Sequence, residues 1–176
     1  MVSKISSSGQ LISSINANAT PWGIALDSMG NIYLTIKTYP NPSSNLSNPI
    51  IYGFNNSSGI SAEIRKITPN GYVTIELSAG LSMPFGITIN NNNEIFIADS
   101  TNNRIAKLST GSVLNNFAGV NYSILGSYNY CLVSGIYDGL GEISKAHFNY
   151  PNGLGKDSNG NIYVAETQNH RIRKIT

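Results

Sequence analysis

Two carboxylate–guanidinium pairs recur at the same spacing in this sequence. Asp99 is followed five residues later by Arg104, and Glu166 is followed five residues later by Arg171. The forked guanidinium of arginine suits a carboxylate because it can donate two parallel hydrogen bonds. Such pairs could offer charged groups to a ligand or could clamp neighbouring strands together. The sequence favours the second interpretation, a structural turn clamp.

Residues that commonly act in catalysis are scarce. The sequence has two histidines, His147 and His170, and its single cysteine, Cys131, excludes an intrachain disulfide. No Ser-His-Asp or Cys-His signature stands out. The acidic stretch at 138–142 lacks the oxygen-ligand spacing of a calcium loop. The sequence therefore predicts no catalytic residue, no metal site and no cofactor.

Tyrosine is concentrated in two segments, about 37–62 and 119–150, which hold seven of the ten tyrosines. Its large, stiff and half-polar ring is favoured in recognition loops. The rings could equally fold back to cover the core beneath them, and Tyr150 beside Pro151 is expected to do so. The candidate ligand-binding residues are Trp22, Tyr39, Tyr52, Phe54, Tyr122, Tyr128, Tyr130 and Tyr137.

These residues are positioned by a phrase that occurs three times: PWGIALDSMGNIYLT (21–35), PFGITINNNNEIFIAD (84–99) and PNGLGKDSNGNIYVAE (151–166). Each copy predicts a strand, a tight turn and a second strand, and a further hairpin phrase follows. One unit therefore holds four short antiparallel strands, a to d. The second strands are apolar on both faces, so both faces must be covered. Sheets stacked around an axis meet that need, which predicts an all-β protein, a β-propeller.

The Pro-x-Gly phrase, DSNGNIYVAE, NHRIRKI and the preceding DGLG at 138–141 resemble the NHL-repeat family. The resemblance is strongest in the second and third copies. It implies a propeller, most often six-bladed, that binds protein, RNA or small ligands on one face. A minority of related propellers are lyases or metal-dependent hydrolases.

The repeats predict one segment of about three blades: blade 1 at about 21–80, blade 2 at about 84–118 and blade 3 at about 148–176. Residues 9–16 match a strand d, so they are expected to complete blade 3, which lacks one. Three blades are half of six. The chain is therefore either a half that closes a six-bladed ring as a homodimer or a fragment of a longer array.

Strand geometry predicts where a ligand binds. In a four-stranded antiparallel blade the b–c and d–a connections leave from the same face, and these are the two long segments, 37–62 and 119–150. We expect a non-enzymatic scaffold that recognises a protein or small ligand through that face. One alternative is half of a propeller enzyme, of lyase or metal-dependent hydrolase type, whose catalytic groups other blades complete. Another is an RNA-binding NHL module.

Composition bears on the partners. Charged residues make up 11% of the chain and the net charge is +2, so we do not expect nucleic acid as a partner. No apolar run reaches the length of a signal peptide or a membrane span, so we expect a soluble chain with no membrane partner. The compartment is left open.

Overall fold

The computed structural model describes residues 1–16, 20–38, 61–78, 80–109, 112–119, 138 and 146–176. No α-helix occurs in those ranges. The strands are β1 (Val2–Ile5), β2 (Leu11–Ile15), β3 (Thr20–Leu26), β4 (Ile32–Thr38), β5 (Ser61–Ile67), β6 (Val73–Leu77), β7 (Pro84–Ile89), β8 (Ile95–Asp99), β9 (Arg104–Ser109), β10 (Val113–Ala118), β11 (Pro151–Lys156), β12 (Ile162–Glu166) and β13 (Arg171–Ile175).

The strands form four antiparallel sheets. Blade 1 has the order β3-β4-β5-β6, blade 2 has β7-β8-β9-β10 and blade 3 has β11-β12-β13. The fourth sheet is the N-terminal hairpin β1-β2. The predicted all-β architecture is confirmed: the chain is a partial β-propeller built from blades of one repeating design.

The tight a–b turns are fixed by their first residue. The Oδ1 atom of Asp27 accepts a hydrogen bond of 2.8 Å from the backbone N–H of Asn31, and Asp157 and Asn90 bind the chain four residues on in the same way. Gly30 closes its turn with a φ of 81°, a conformation that costs glycine little. Each of these side chains therefore sets the register of the two strands that it joins.

The core lies between the blades. We call the face of a blade toward the next blade in the chain its front face, and the opposite one its back face. The front of blade 1 and the back of blade 2 bury Tyr33, Ile64, Ile87, Ile89, Ile95, Ile97, Ala106 and Leu108. The front of blade 2 and the back of blade 3 bury Phe96, Ala98, Ile105, Ala118, Ala146, Phe148, Ile162 and Val164. Because β8 contributes to both interfaces, all five of its residues are buried.

The glycines of the Pro-x-Gly phrase let the central strands β3, β7 and β11 approach each other. A Cβ atom on Gly23 would lie 2.2 Å from the Phe85 carbonyl oxygen, and one on Gly86 would lie 2.3 Å from the Asn152 carbonyl oxygen. Thr35 strengthens the first contact: its Oγ1 donates to the Phe85 carbonyl oxygen at 2.8 Å. Any larger residue at either glycine would push two backbones apart.

The hairpin β1-β2 lies on the back of blade 1, at the opposite end of the row from β13. Its Val2 and Ile15 pack against a buried cluster of Leu34, Ile36 and Ile67. Within one chain, residues 9–16 therefore pair with β1 and do not complete blade 3. The prediction failed within one chain because β1 also matches a strand c. Strand β2 therefore finds its hydrogen-bonding partner in β1, the preceding strand of the same hairpin. Completion of blade 3 by a second copy stays a prediction.

Candidate functional site

Each Pro-x-Gly phrase forms a β-bulge at the start of a central strand. The register shifts between Pro21 and Gly23 in blade 1, and at the corresponding place in blades 2 and 3. A bulge turns one side chain out of the regular alternation of a strand. The residues at that position are Trp22, Phe85 and Asn152. They lie where the d–a connections enter the central strands, on the face of the two long predicted loops.

Three rings form a contiguous aromatic row on this face, which we define as Trp22, Phe85 and Tyr150. The ring centroids of Trp22 and Phe85 are 4.2 Å apart with an interplanar angle of 39°. Those of Phe85 and Tyr150 are 6.4 Å apart at 46°. All three residues are half-buried. These separations are typical of favourable aromatic pairs, and the row leaves part of each ring accessible.

Polar groups border the aromatic row. The Lys37 Nζ atom lies 5.4 Å from the Trp22 ring centroid, within the range of a cation–π interaction. Asn152 donates through Nδ2 to Thr167 Oγ1 at 3.4 Å. The backbone N–H of Tyr150 donates to Asn103 Oδ1 at 2.9 Å, which holds the backbone of this residue in place. The arrangement can hold a flat apolar group by stacking and a polar group at its edge.

The sequence predicted Trp22 as a ligand-binding residue, which stays a prediction, and did not predict the rest of the row. It assigned Tyr150 to packing, and the ring does contact Phe85. The signal for Phe85 was present, because it occupies the same place in its Pro-x-Gly phrase as Trp22 does. The other predicted ligand-binding residues lie outside the described residues: Tyr39, Tyr52, Phe54, Tyr122, Tyr128, Tyr130 and Tyr137.

The predicted pair of Asp99 and Arg104 is formed in blade 2. Arg104 Nε donates to Asp99 Oδ2 at 2.7 Å, and both side chains are buried. The same guanidinium donates to the Gly80 carbonyl oxygen at 2.7 Å, while Asp99 accepts from the Ser82 backbone N–H at 2.6 Å. Burial raises the pKa of Asp99, and the Arg104 charge opposes that rise. The pair ties the d–a connection to the b–c turn, as a clamp does.

In blade 3 the carboxylate has a different partner from the predicted one. Arg173, not Arg171, donates to Glu166 Oε1 at 3.3 Å and also to the His147 carbonyl oxygen at 2.6 Å. Arg171 is exposed. Glu166 further accepts from the Asn149 backbone N–H at 2.9 Å. The predicted Glu166–Arg171 pair is therefore replaced, because residues two apart share a strand face and Arg173 also reaches the d–a connection.

Blade 1 shows the signal that points to Arg173. Arg65 stands at the same position of strand c as Arg173, and its Nη2 atom lies 2.8 Å from Glu63 Oε2. An arginine thus meets a carboxylate from this position in two of the three blades. In blade 2 this position is occupied by Ala106, and Arg104 pairs with the carboxylate instead. Aligning strand c of blade 3 with that of blade 1 points to Arg173, whereas aligning it with that of blade 2 points to Arg171.

The described ranges contain no group of three His, Cys, Asp or Glu residues that could hold a metal ion. Among the same residues, no helix has the length and apolar character needed to cross a membrane.

Comparisons with known proteins agree with this fold. The NHL-repeat model matches residues 81–108 and 148–175, which are most of blades 2 and 3, so these segments are NHL repeats and the predicted resemblance is confirmed. No curated protein matches the chain.

Several solved structures share the fold at low identity. A candidate gluconolactonase is 12% identical with a TM-score of 0.52, and the match covers 96% of this chain and 50% of that one. A protein of unknown function from Bacteroides thetaiotaomicron is 19% identical, with a TM-score of 0.52 and coverage of 96% and 51%. A luciferin-regenerating enzyme is 17% identical, with a TM-score of 0.50 and coverage of 87% and 41%. The chain thus spans about half the length of these structures, or less.

Proposed function

We propose that this chain is a non-enzymatic binding scaffold that recognises a protein or small ligand through the face carrying the aromatic row. The contiguous, half-buried packing of Trp22, Phe85 and Tyr150 supports this proposal. Three central strands converge on this face, and the bulge in each presents one side chain there. Rigid strands hold such groups more accurately than loops do.

The chemistry of the face suits a ligand with a flat apolar group. Stacking on Trp22 or Phe85 would bury apolar area without freezing flexible side chains, which is why aromatic residues dominate recognition surfaces. The ammonium of Lys37 lies 5.4 Å from the centroid of the Trp22 ring, and Asn152 occupies the same place in its Pro-x-Gly phrase as Trp22 and Phe85 do. They favour a ligand that carries a hydrogen-bonding or anionic edge. The loops at 37–62 and 119–150 supply the remaining contacts in this proposal.

Trp22 makes the proposal measurable, since it is the single tryptophan of the chain. A library of small aromatic fragments is screened by ligand-observed NMR, and the hits are titrated while Trp22 fluorescence is followed. We expect hits that change this emission and that Phe85→Ala weakens at least tenfold. The control is Tyr72→Ala, because Tyr72 is exposed and lies next to a c–d turn on the opposite face. Hits that bind Phe85→Ala unchanged would contradict the proposal.

An enzyme of lyase or hydrolase type is the second candidate, because two of the structural neighbours are described as enzymes. Likeness at such identity supports the fold alone. Metal analysis of the purified chain separates the two functions: stoichiometric, tightly held calcium or zinc would favour the enzyme. An RNA-binding module would instead show an affinity that falls steeply with salt.

A further inference from the structure

The front face of blade 3 exposes residues that the repeat buries elsewhere. Tyr163 and Ile172 are 36% and 76% exposed, whereas their counterparts in blade 2, Phe96 and Ile105, are 3% and 0% exposed. Ala165 between them is exposed as well. The counterparts are covered by the back of blade 3. No blade within the described residues covers the front of blade 3.

Gly153 lies on this face and shows what kind of partner the face accepts. A Cβ atom at Gly23 or Gly86 would collide with the backbone of the next central strand, at 2.2 and 2.3 Å. At Gly153 the same atom would meet nothing closer than the Ala165 side chain of its own blade, at 3.5 Å. The glycine is therefore not required by any contact made within the described chain. It leaves room for the backbone of one more central strand.

At the other end of the three blades, part of the back face of blade 1 is also uncovered. Ile24 and Leu26 on the back of blade 1 are 54% and 61% exposed, but the corresponding Ile87 and Ile89 of blade 2 are 5% and 3% exposed. The hairpin β1-β2 consists of strands of the c and d type only. It covers the outer part of blade 1 through Val2, and leaves the inner part beside β3 open.

We propose that the front of blade 3 docks on the inner back face of blade 1 of a second copy of this chain. Within one chain, Tyr33 packs beside Ile87 and Ile89 across the first interface. Tyr163 occupies the position of Tyr33 in its blade, and Ile24 and Leu26 occupy those of Ile87 and Ile89. The contact between copies therefore repeats an interface that the chain already makes. A two-fold axis along the channel gives it twice and closes six blades into a ring.

A second copy fits because both complementary surfaces, Gly153 with Tyr163 at one end and Ile24 with Leu26 at the other, belong to this chain. Closure also removes exposed apolar area and an open sheet edge at β13.

The strand count shows what closure requires. Two copies bring twenty-six described strands, whereas six four-stranded blades hold twenty-four. The surplus is one strand at each junction, because β1 and the second copy's β13 both match strand c, with Val2 and Ile172 at equivalent positions. One of the two must leave the sheet. The proposal therefore includes a strand exchange in which β13 pairs with the second copy's β2 or is displaced by its β1.

Closure would also extend the aromatic row. Gly86 places Asn152 beside Phe85 within the chain, and Gly153 would place Trp22 of the second copy beside Asn152 in the same way. The assembly does not depend on the binding function, so the two proposals can fail separately.

The test is the mass of the full chain in solution, by light scattering and sedimentation over a wide concentration range. We expect a species of about twice 18.9 kDa. Ile24→Glu and Tyr163→Glu should each convert it to the monomer while circular dichroism stays unchanged. Tyr72→Glu, at a more exposed site outside both surfaces, should leave it dimeric. Gly153→Leu should raise the dissociation constant at least tenfold.

Three outcomes would overturn the proposal. A monomer at all concentrations would mean that copies of this chain do not cover these faces. A dimer that persists in both glutamate variants would place the contact elsewhere. Oligomers that grow with concentration would show head-to-tail stacking without a closed ring.

Discussion

Replacing Gly86 with alanine tests the inference that the central strands are held at backbone contact. The new Cβ would lie 2.3 Å from the Asn152 carbonyl oxygen and 2.8 Å from the Leu154 nitrogen, whereas ordinary contact begins at 3.4 Å. The obstructing atoms are backbone, so no side chain can rotate away, and β7 and β11 must separate by about 1 Å. Overpacking of this kind costs about 1–3 kcal/mol, and a rigid obstacle places it at the upper end.

The same change at Gly153 is the matched control. Its Cβ would meet only Ala165, at an ordinary 3.5 Å. Alanine also stabilises by about 0.4–1 kcal/mol when the backbone accepts it, because the unfolded chain loses freedom. We therefore expect Gly86→Ala to destabilise by about 2 kcal/mol, lowering the Tm by about 4–8 °C, and Gly153→Ala to be neutral or slightly stabilising.

Urea unfolding followed by Trp22 fluorescence measures both variants, at a concentration where sedimentation shows a monomer. Dilution matters because the proposed contact between copies would bring a second backbone against Gly153. A difference between the two variants below about 0.5 kcal/mol, the usual scatter of neutral substitutions, would refute the reasoning that Pro-x-Gly exists for close approach of strands.

Three further predictions concern the charged residues. Arg104→Met should destabilise by about 3–5 kcal/mol in urea unfolding, because it leaves a buried carboxylate without its cation. Arg173→Met should cost about 3 kcal/mol for the same reason, while the exposed Arg171→Met should stay within about 0.5 kcal/mol. Equal effects of the two blade 3 variants would contradict the assigned pairing. Hydrogen bonding to Lys107 lowers the pKa of Glu94 below its usual 4.5. Its contribution to stability is therefore present above that pH and lost as the pH falls through the lowered pKa. Glu94→Gln should flatten this part of the stability profile below pH 4.5, and an unchanged profile would exclude the assignment.

The repeat could be predicted from the sequence because each copy carries its own local instructions. Asp27, Asn90 and Asp157 each specify a tight turn, and the apolar second strands demand cover on both faces. These signals are short in range and occur three times, so the blades appear in the structure where the phrases place them. The site could be predicted only in part. Trp22 was predicted as a candidate, but the row that it begins depends on the distance between blades, which no local pattern states.

Two predictions, the Glu166–Arg171 pair and the completion of blade 3 by residues 9–16 of the same chain, differ from the structure for the same reason. Arg171 and Arg173 lie on the same face of β13, and the choice between them depends on the reach to the His147 carbonyl in another segment. Residues 9–16 match strand d, but their partner depends on whether β1 or a strand from elsewhere pairs first. In both cases two chemically equivalent partners are present in the sequence. Tertiary contacts decide which of the two forms the pair, and sequence pattern and spacing do not contain that information.

The exposed apolar faces of blades 1 and 3 follow from the same repeat that builds the core. A blade presents one apolar face forward and one backward, so any finite row of blades leaves two faces uncovered unless the row closes on itself. Here the uncovered residues are the equivalents of buried ones, Tyr163 of Tyr33 and Ile24 of Ile87. A surface evolved only to stay in water would place charge at these positions. In the proposed ring of two copies, the front of blade 3 and the inner back face of blade 1 would each gain a neighbouring blade.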